Sequence, residues 1–190
     1  MDRRSVLRFL GVATVGATAT DLEAIGRALH CRLGRGTPLR ILDPHQNATV
    51  VALSDVILPA TDTPGAKAAL VNQFIDLLLA EWFSPEERDR VLAGLANVDA
   101  RAKTAFGKDF LDGTPTEQVA LLTALDDETA RWNASPQATR GPEPFYHQLK
   151  WLTLFGYYTS EVGAEQEEHY AIIPGRYVPC APADTVAAPE

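Results

Sequence analysis

The side chains of this 190-residue chain with the most capacity for chemistry are four histidines (His30, His45, His147 and His169), two cysteines and a late cluster of aromatics. Glu165 and His169 stand four apart, so on a helix they would share a face and offer two ligands to a metal ion. One such pair is a weak metal signal, and Glu165, Glu167 and Glu168 read more simply as a solvated acidic face. His147 follows Tyr146 and would serve as a general base if a carboxylate such as Glu161 lay beside it. A partly buried helix histidine is the simpler reading. The chain contains no Cys-x-x-Cys and no Cys-x-x-Cys-His, which excludes the usual iron–sulfur, zinc-ribbon and covalent haem motifs. No Gly-x-Gly-x-x-Gly follows a strand pattern, so a dinucleotide fold is unsupported. Cys31 and Cys180 are separated by nearly the whole sequence. In an oxidising compartment they could pair with each other, pair with a partner chain, or stay free.

The aromatics concentrate between Phe145 and Tyr177, more than one helix face can bury. Tyr and Trp anchor protein interfaces, so Trp151, Tyr157, Tyr158 and Tyr177 are the candidate partner-binding residues. The alternative is a well-filled core with the hydroxyls satisfied at its rim.

The N-terminus has a different character. Arg3 and Arg4 are adjacent and precede a weakly apolar stretch, Phe9 to Ala19, that ends Ala17-Thr18-Ala19. Two arginines, a short apolar core and a small-x-small ending form the pattern of a twin-arginine export signal, read as an address by the translocase. Residues 1–19 are predicted to be that signal, with cleavage after Ala19 and delivery to the periplasm. The formal charge is −8; because Arg3, Arg4 and Arg8 outweigh Asp2, the remainder carries about −10. So acidic a body argues against nucleic acid or anionic lipid as a partner. No run reaches the length of a membrane span, since the best stretch, Leu70 to Phe83, is broken by Asn72, Gln73, Asp76 and Glu81. Twin-arginine cargo is typically folded around a cofactor, yet this sequence carries no cofactor motif.

The elements that must position these residues are helical. Residues 20–47 are punctuated by Gly34, Gly36 and Pro38 and are expected to be irregular. Val50, Leu53 and Ile57 mark a helix over Ala48 to Leu58, stopped by Pro59. Thr61-Asp-Thr-Pro-Gly65 is a turn. A second helix runs from Leu70 to Trp82 with Phe74, Leu77, Leu78 and Trp82 on its apolar side. Ser84-Pro85-Glu86-Glu87 combines an N-cap, a proline at the first helical position and a capping-box glutamate. The helix it opens carries Val91, Leu95, Val98, Ala102 and Phe106 on one face and ends at Gly107. Thr114-Pro115-Thr116-Glu117 repeats the grammar before Val119, Leu122 and Leu125. After a loop from Asn133 to Pro144, Phe145, Leu149, Leu152 and Phe155 mark a last helix ending near Gly156 or Gly163. No alternating strand pattern occurs. The expectation is an all-α fold: one compact domain of about five helices over residues 48–180, an extended proline-rich C-terminal tail, and a flexible end at 181–190.

Three blocks of this sequence resemble a known family. They are Leu53-Ser-Asp-Val-Ile-Leu-Pro-Ala-Thr-Asp-Thr-Pro-Gly-Ala66, then Phe74-Ile-Asp76 leading into Leu79, then Leu149-Lys-Trp-Leu-Thr-Leu-Phe-Gly-Tyr-Tyr-Thr-Ser-Glu-Val-Gly163 continuing to Pro174-Gly-Arg-Tyr-Val-Pro-Cys180. Together they are similar to the third, small subunit of gluconate 2-dehydrogenase and to the small subunits of related glucose and sorbitol dehydrogenases. The resemblance spans Thr49 to Cys180, and a twin-arginine N-terminus is also a trait of the family. It implies an accessory chain with no catalytic residues and no cofactor of its own, in complex with a large FAD-containing subunit that oxidises a sugar or polyol. A multihaem cytochrome c subunit would pass electrons onward. It also implies an escort role, in which this chain supplies the export signal that the flavoprotein lacks. The complex would sit at the outer face of the inner membrane without this chain spanning it. Cys180, in its proline-rich tail, would then be placed for contact or a covalent link with the large subunit. The competing reading is an autonomous periplasmic enzyme or metal-binding protein that uses His147 or the Glu165–His169 pair.

Overall fold

A computed structural model describes residues 38–136, 141 and 143–168, and its helices begin where short polar sequences supply missing hydrogen bonds. The first turn of an α-helix leaves backbone N–H groups without intrahelical acceptors. Three helices meet that need identically: α1 (Pro44–Ile57), α3 (Pro85–Phe106) and α4 (Pro115–Ala134) each start with proline behind a two-way capping box. At α3 the Ser84 hydroxyl accepts from the Glu87 N–H at 3.2 Å while the Glu87 carboxylate accepts from the Ser84 N–H at 2.8 Å. Thr114 and Glu117 do the same at α4. Each such cap contributes about 1 kcal/mol to its helix. At α1 the pair is Asp43 and Gln46. The helix therefore begins at Pro44 rather than Ala48, and residues 44–47 are not irregular. Gly107, with φ of 73°, closes α3.

The remaining helices are α2 (Val71–Glu81) and α5 (Phe145–Tyr158). A 3₁₀ turn, Phe110–Asp112, joins α3 to α4, and one π-helical turn, Gly163–Glu167, follows α5. The described residues thus hold five α-helices and no strand, the all-α class expected. Helix α2 lacks a side-chain cap. Instead Leu70 turns the chain into it with φ of 54° and ψ of 37°, the one non-glycine positive φ among the described residues. That conformation costs a β-carbon-bearing residue about 1–2 kcal/mol, offset by burial of nearly the whole helix that follows: Val71, Phe74, Ile75, Leu77, Leu78 and Leu79 are all core.

Helix α5 is the centre of the bundle, touching each of the other four helices. Its closest neighbour is α2. A β-carbon at Gly156 would stand 2.9 Å from the Phe74 ring, so glycine there lets α2 approach the α5 backbone. Leu149, Leu152 and Tyr157 pack into the same core. Two expected faces shift. Val119 is 51% exposed, because the buried stripe of α4 runs through Leu121, Leu122, Leu125 and Thr129. Trp82 is 43% exposed as the C-cap of α2 rather than part of its apolar side.

A buried carboxylate ties the chain ahead of α1 to α2. Asp76, 3% exposed, accepts the backbone N–H groups of Arg40 at 2.8 Å, Ile41 at 3.0 Å and Leu42 at 2.8 Å. Three successive amides pointing at one anion form a concave nest that replaces the water the carboxylate gives up. The Arg40 side chain reaches back to Glu81 at 2.6 Å. Asp99 plays a comparable linking part on the other side, meeting His45 of α1 at 2.7 Å and the Phe110 N–H at 3.2 Å. That contact raises the His45 pKa.

Asp76→Ala would leave three partly or fully buried N–H groups without their acceptor, and the expected loss is about 3 kcal/mol. Urea denaturation of the variant checks this; a loss below about 1 kcal/mol would show that water replaces the carboxylate. A second expectation concerns acid. Glu117 is held at about 2, mainly by Lys108 and then by the Thr114 amide and hydroxyl. Because its folded pKa lies below the unfolded value, the stabilisation from its ionised form is complete above that unfolded value and is lost as pH falls through about 2. A carboxyl NMR titration of Glu117 with a midpoint near the ordinary glutamate range would contradict it.

Candidate partner-binding surface

The loop between α1 and α2 is rigid because its backbone folds onto itself. The Ala66 N–H reaches the Leu58 carbonyl and the Thr61 N–H reaches the Thr63 carbonyl, both at 3.0 Å. At Gly65 an added β-carbon would lie 2.6 Å from both the Ala60 nitrogen and the Leu58 oxygen. Those are main-chain atoms that cannot swing aside, so only glycine fits this crossing. Tyr157 of α5 clasps the loop from below, its hydroxyl donating to the Pro64 carbonyl at 2.7 Å. Burial pushes the Tyr157 phenol up, which keeps that proton in place. Above the clasp, Pro59, Ala60, Thr61 and Asp62 face solvent. The Thr61 hydroxyl bonds the Asp62 carboxylate at 2.9 Å and lowers its pKa.

Helix α5, whose Tyr157 holds this loop, carries an open aromatic stripe. Trp151 is 50% and Tyr158 39% exposed. Trp151 stacks on half-buried Phe155, with ring centroids 5.0 Å apart and planes at 13°. Phe155 in turn meets buried Phe74 edge-on at 5.7 Å. An exposed tryptophan is thereby tied through two rings to the core, so its orientation is set before anything binds. Tyr158 stands edge-on to Tyr157 at 5.3 Å. The π turn then seats Gly163 against the Tyr157 carbonyl, carrying Glu161, Glu165, Glu167 and Glu168 outward as exposed carboxylates.

The chemically suggestive residues do not converge. The His147 ring pairs with Glu143, one turn ahead of it, and lies 5.2 Å from the Trp132 ring. The carboxylate bonded to it is therefore not Glu161. Glu165 is exposed, and among the described residues no group of three or more His, Cys, Asp or Glu could hold a metal ion. His169 lies outside the described residues, as do Arg3, Arg4, Cys31, Cys180 and Tyr177. A shallow apolar groove of about 400 Å³ lies elsewhere, between α3 and α4, lined by Asn97, Ala100, Arg101, Thr104, Ala105 and Leu121. Of the candidate interface residues, Trp151 and Tyr158 are accessible, whereas Tyr157 is 2% exposed and holds the loop instead. Among the described residues, no helix is long and apolar enough to cross a membrane.

Sequence reasoning missed the Asp76 nest and the Tyr157 clasp. An aspartate inside an otherwise apolar helix run was the available signal for the first, since such a charge must find partners. Helical periodicity carried the signal for the second, because Tyr157 falls with Leu149, Leu152 and Thr153 on the buried side of α5.

Comparison with known proteins gives one family. The family model described as gluconate 2-dehydrogenase subunit 3 matches residues 44–175, from the first residue of α1 past the π turn. No curated protein and no solved structure matches.

The loop makes a direct prediction. Gly65→Ala is expected to cost at least about 2 kcal/mol through main-chain overlap, and Tyr157→Phe about 1 kcal/mol through the lost hydrogen bond. Thermal denaturation together with amide exchange of residues 58–66 checks both; a Gly65→Ala protein as stable as the parent would refute the close crossing.

Proposed function

Because the chain belongs to the gluconate 2-dehydrogenase subunit 3 family, we propose that it is a noncatalytic accessory subunit of an exported flavin-dependent sugar or polyol dehydrogenase. It binds and stabilises the folded catalytic subunit and escorts it through the twin-arginine pathway. FAD belongs to that large subunit and haem to a cytochrome c subunit of the same complex. The observation that carries the reading is the family match, whose description names a subunit of a dehydrogenase and which takes in all five helices. Two features support it. The adjacent Arg3 and Arg4 ahead of a weakly apolar stretch suit a twin-arginine signal. The held, half-exposed Trp151 suits a partner contact made without prior ordering. An escort needs no active site, so an export signal on a chain lacking cofactor motifs is no longer anomalous. The complex acts in the periplasm, at the outer face of the inner membrane.

Replacing both Arg3 and Arg4 with lysine tests the escort. With the large subunit co-expressed, cell fractionation is expected to find that subunit retained in the cytoplasm. Undiminished delivery of the large subunit to the periplasm would contradict the reading, even if this chain itself were retained.

A further inference from the structure

We infer that the open stripe of α5, Trp151, Phe155 and Tyr158, together with the acidic turn at its end, is the surface that docks on the large subunit. The matching surface there is an apolar trough whose far end carries lysine or arginine side chains. The inference rests on the accessory-subunit reading and adds to it which face binds, what chemistry receives it and in which direction it lies.

Three observations converge. The first is the unpartnered face. Helix α5 contacts all four other helices, yet at 151, 155 and 158, spaced four and three apart, it presents rings rather than polar groups. Residues at that spacing share one face of a helix. A rigid aromatic contact gives up little conformational freedom on binding, and tryptophan and tyrosine are over-represented among residues that dominate interface energies.

The second is charge. Residues 151–168 contain four glutamates and no lysine or arginine. Glu161, Glu165, Glu167 and Glu168 are all exposed, and none forms an ion pair among the described residues. Elsewhere on the bundle some acids are matched, as Glu128 is by Arg101, Asp109 by Lys103 and Asp126 by Lys150, while the exposed Asp55, Glu86, Asp89, Asp112 and Asp127 form no ion pair among the described residues. What sets the four glutamates apart is their density, all within residues 161–168 directly after the aromatic stripe, with no lysine or arginine from 151 to 168. A complementary partner must supply the cations.

The third is continuity with the clasped loop. Tyr157 joins α5 to Pro64, so Asp62 and the solvent-facing part of the loop border the same end. A basic partner patch would meet this fixed edge as well as the turn.

Charge also separates the possible occupants. A second copy would bring another acidic chain of net charge −8 onto an acidic surface. The C-terminal residues 169–190 contain one arginine, Arg176, and no lysine, against Asp184 and Glu190. Neither supplies the counter-charge that a separate basic-ended subunit would. Residues 1–37 do hold six arginines against Asp2, Asp21 and Glu23, and protection of Trp151 already in the free monomer is the result that would assign the surface to that segment instead.

The test uses the full chain and the purified flavin-containing subunit encoded with it. Affinity and association rate are measured at low and at moderate salt. Trp151→Ala is expected to weaken binding at least about tenfold. The double variant Glu161→Lys, Glu165→Lys should slow association and flatten its salt dependence. Val119→Ala, equally exposed but on α4, should bind as the parent does. If the parent binds and the Trp151 and glutamate variants bind within twofold of it, the docking face is wrong while the accessory reading stands. If the parent does not bind, the accessory reading fails as well. Acrylamide quenching of Trp151, in a chain with Trp82 and Trp132 replaced by phenylalanine, settles the occupant. The free monomer should be quenched and the complex protected. Protection already present in the monomer, or a homodimer that Trp151→Ala dissociates, would overturn the proposal.

Discussion

Phe74 rests directly on the backbone of α5 at Gly156, and the rest of the arrangement depends on that contact. A β-carbon at 156 would come within 2.9 Å of the ring, so the two helices can approach only where α5 has no side chain. Once they meet, Phe155 is left edge-on to Phe74, and Trp151, one turn earlier, lies flat on Phe155. The same approach fixes the height of Tyr157, which reaches the α1–α2 loop, and places Asp76 where it gathers three amides of the segment before α1. One missing side chain thus sets the core, the loop and the orientation of the exposed rings.

The consequence for function is a division of labour along α5. Its buried sides hold the bundle together through Leu149, Leu152 and Tyr157, and Trp151, Phe155 and Tyr158 form an aromatic stripe that is left open. A stable monomer gains nothing from an exposed tryptophan held in a fixed stack, whereas a subunit that must recognise a folded partner does. The unmatched glutamates after Tyr158 carry the same implication in charge. The crossing at Gly65 and the strained left-handed Leu70 both lie just ahead of α2, in the loop that Tyr157 holds against α5.

Much of the fold was legible because it is encoded locally. Ser84-Pro85-Glu87 and Thr114-Pro115-Glu117 announce helix starts through hydrogen bonds made within four residues, and both form as read. The same logic at Asp43-Pro44-Gln46 is masked by weak apolar periodicity before Val50, so periodicity alone puts the start of α1 too late. Long-range consequences were less legible. Val119 and Leu121 are two positions apart, and only the packing of α4 against its neighbours decides which is buried. Tyr157 and Tyr158 are chemically alike, yet one is core and the other surface because the loop at Pro64 sits over only one of them. Of the site, Trp151 and Tyr158 could be singled out from residue type, but the attachment of Trp151 to Phe74 through Phe155 depends on α2 and α5, far apart in sequence, meeting.

On the proposed reading this bundle is a grip whose α5 stripe and acidic turn hold another subunit. Amide hydrogen exchange on the chain alone and in complex with the flavin-containing subunit measures it most directly. Protection is expected to rise across residues 151–168 and the loop at 59–63, and to change little on the outer faces of α3 and α4. Protection gained only along the α3–α4 groove, with 151–168 unchanged, would contradict it.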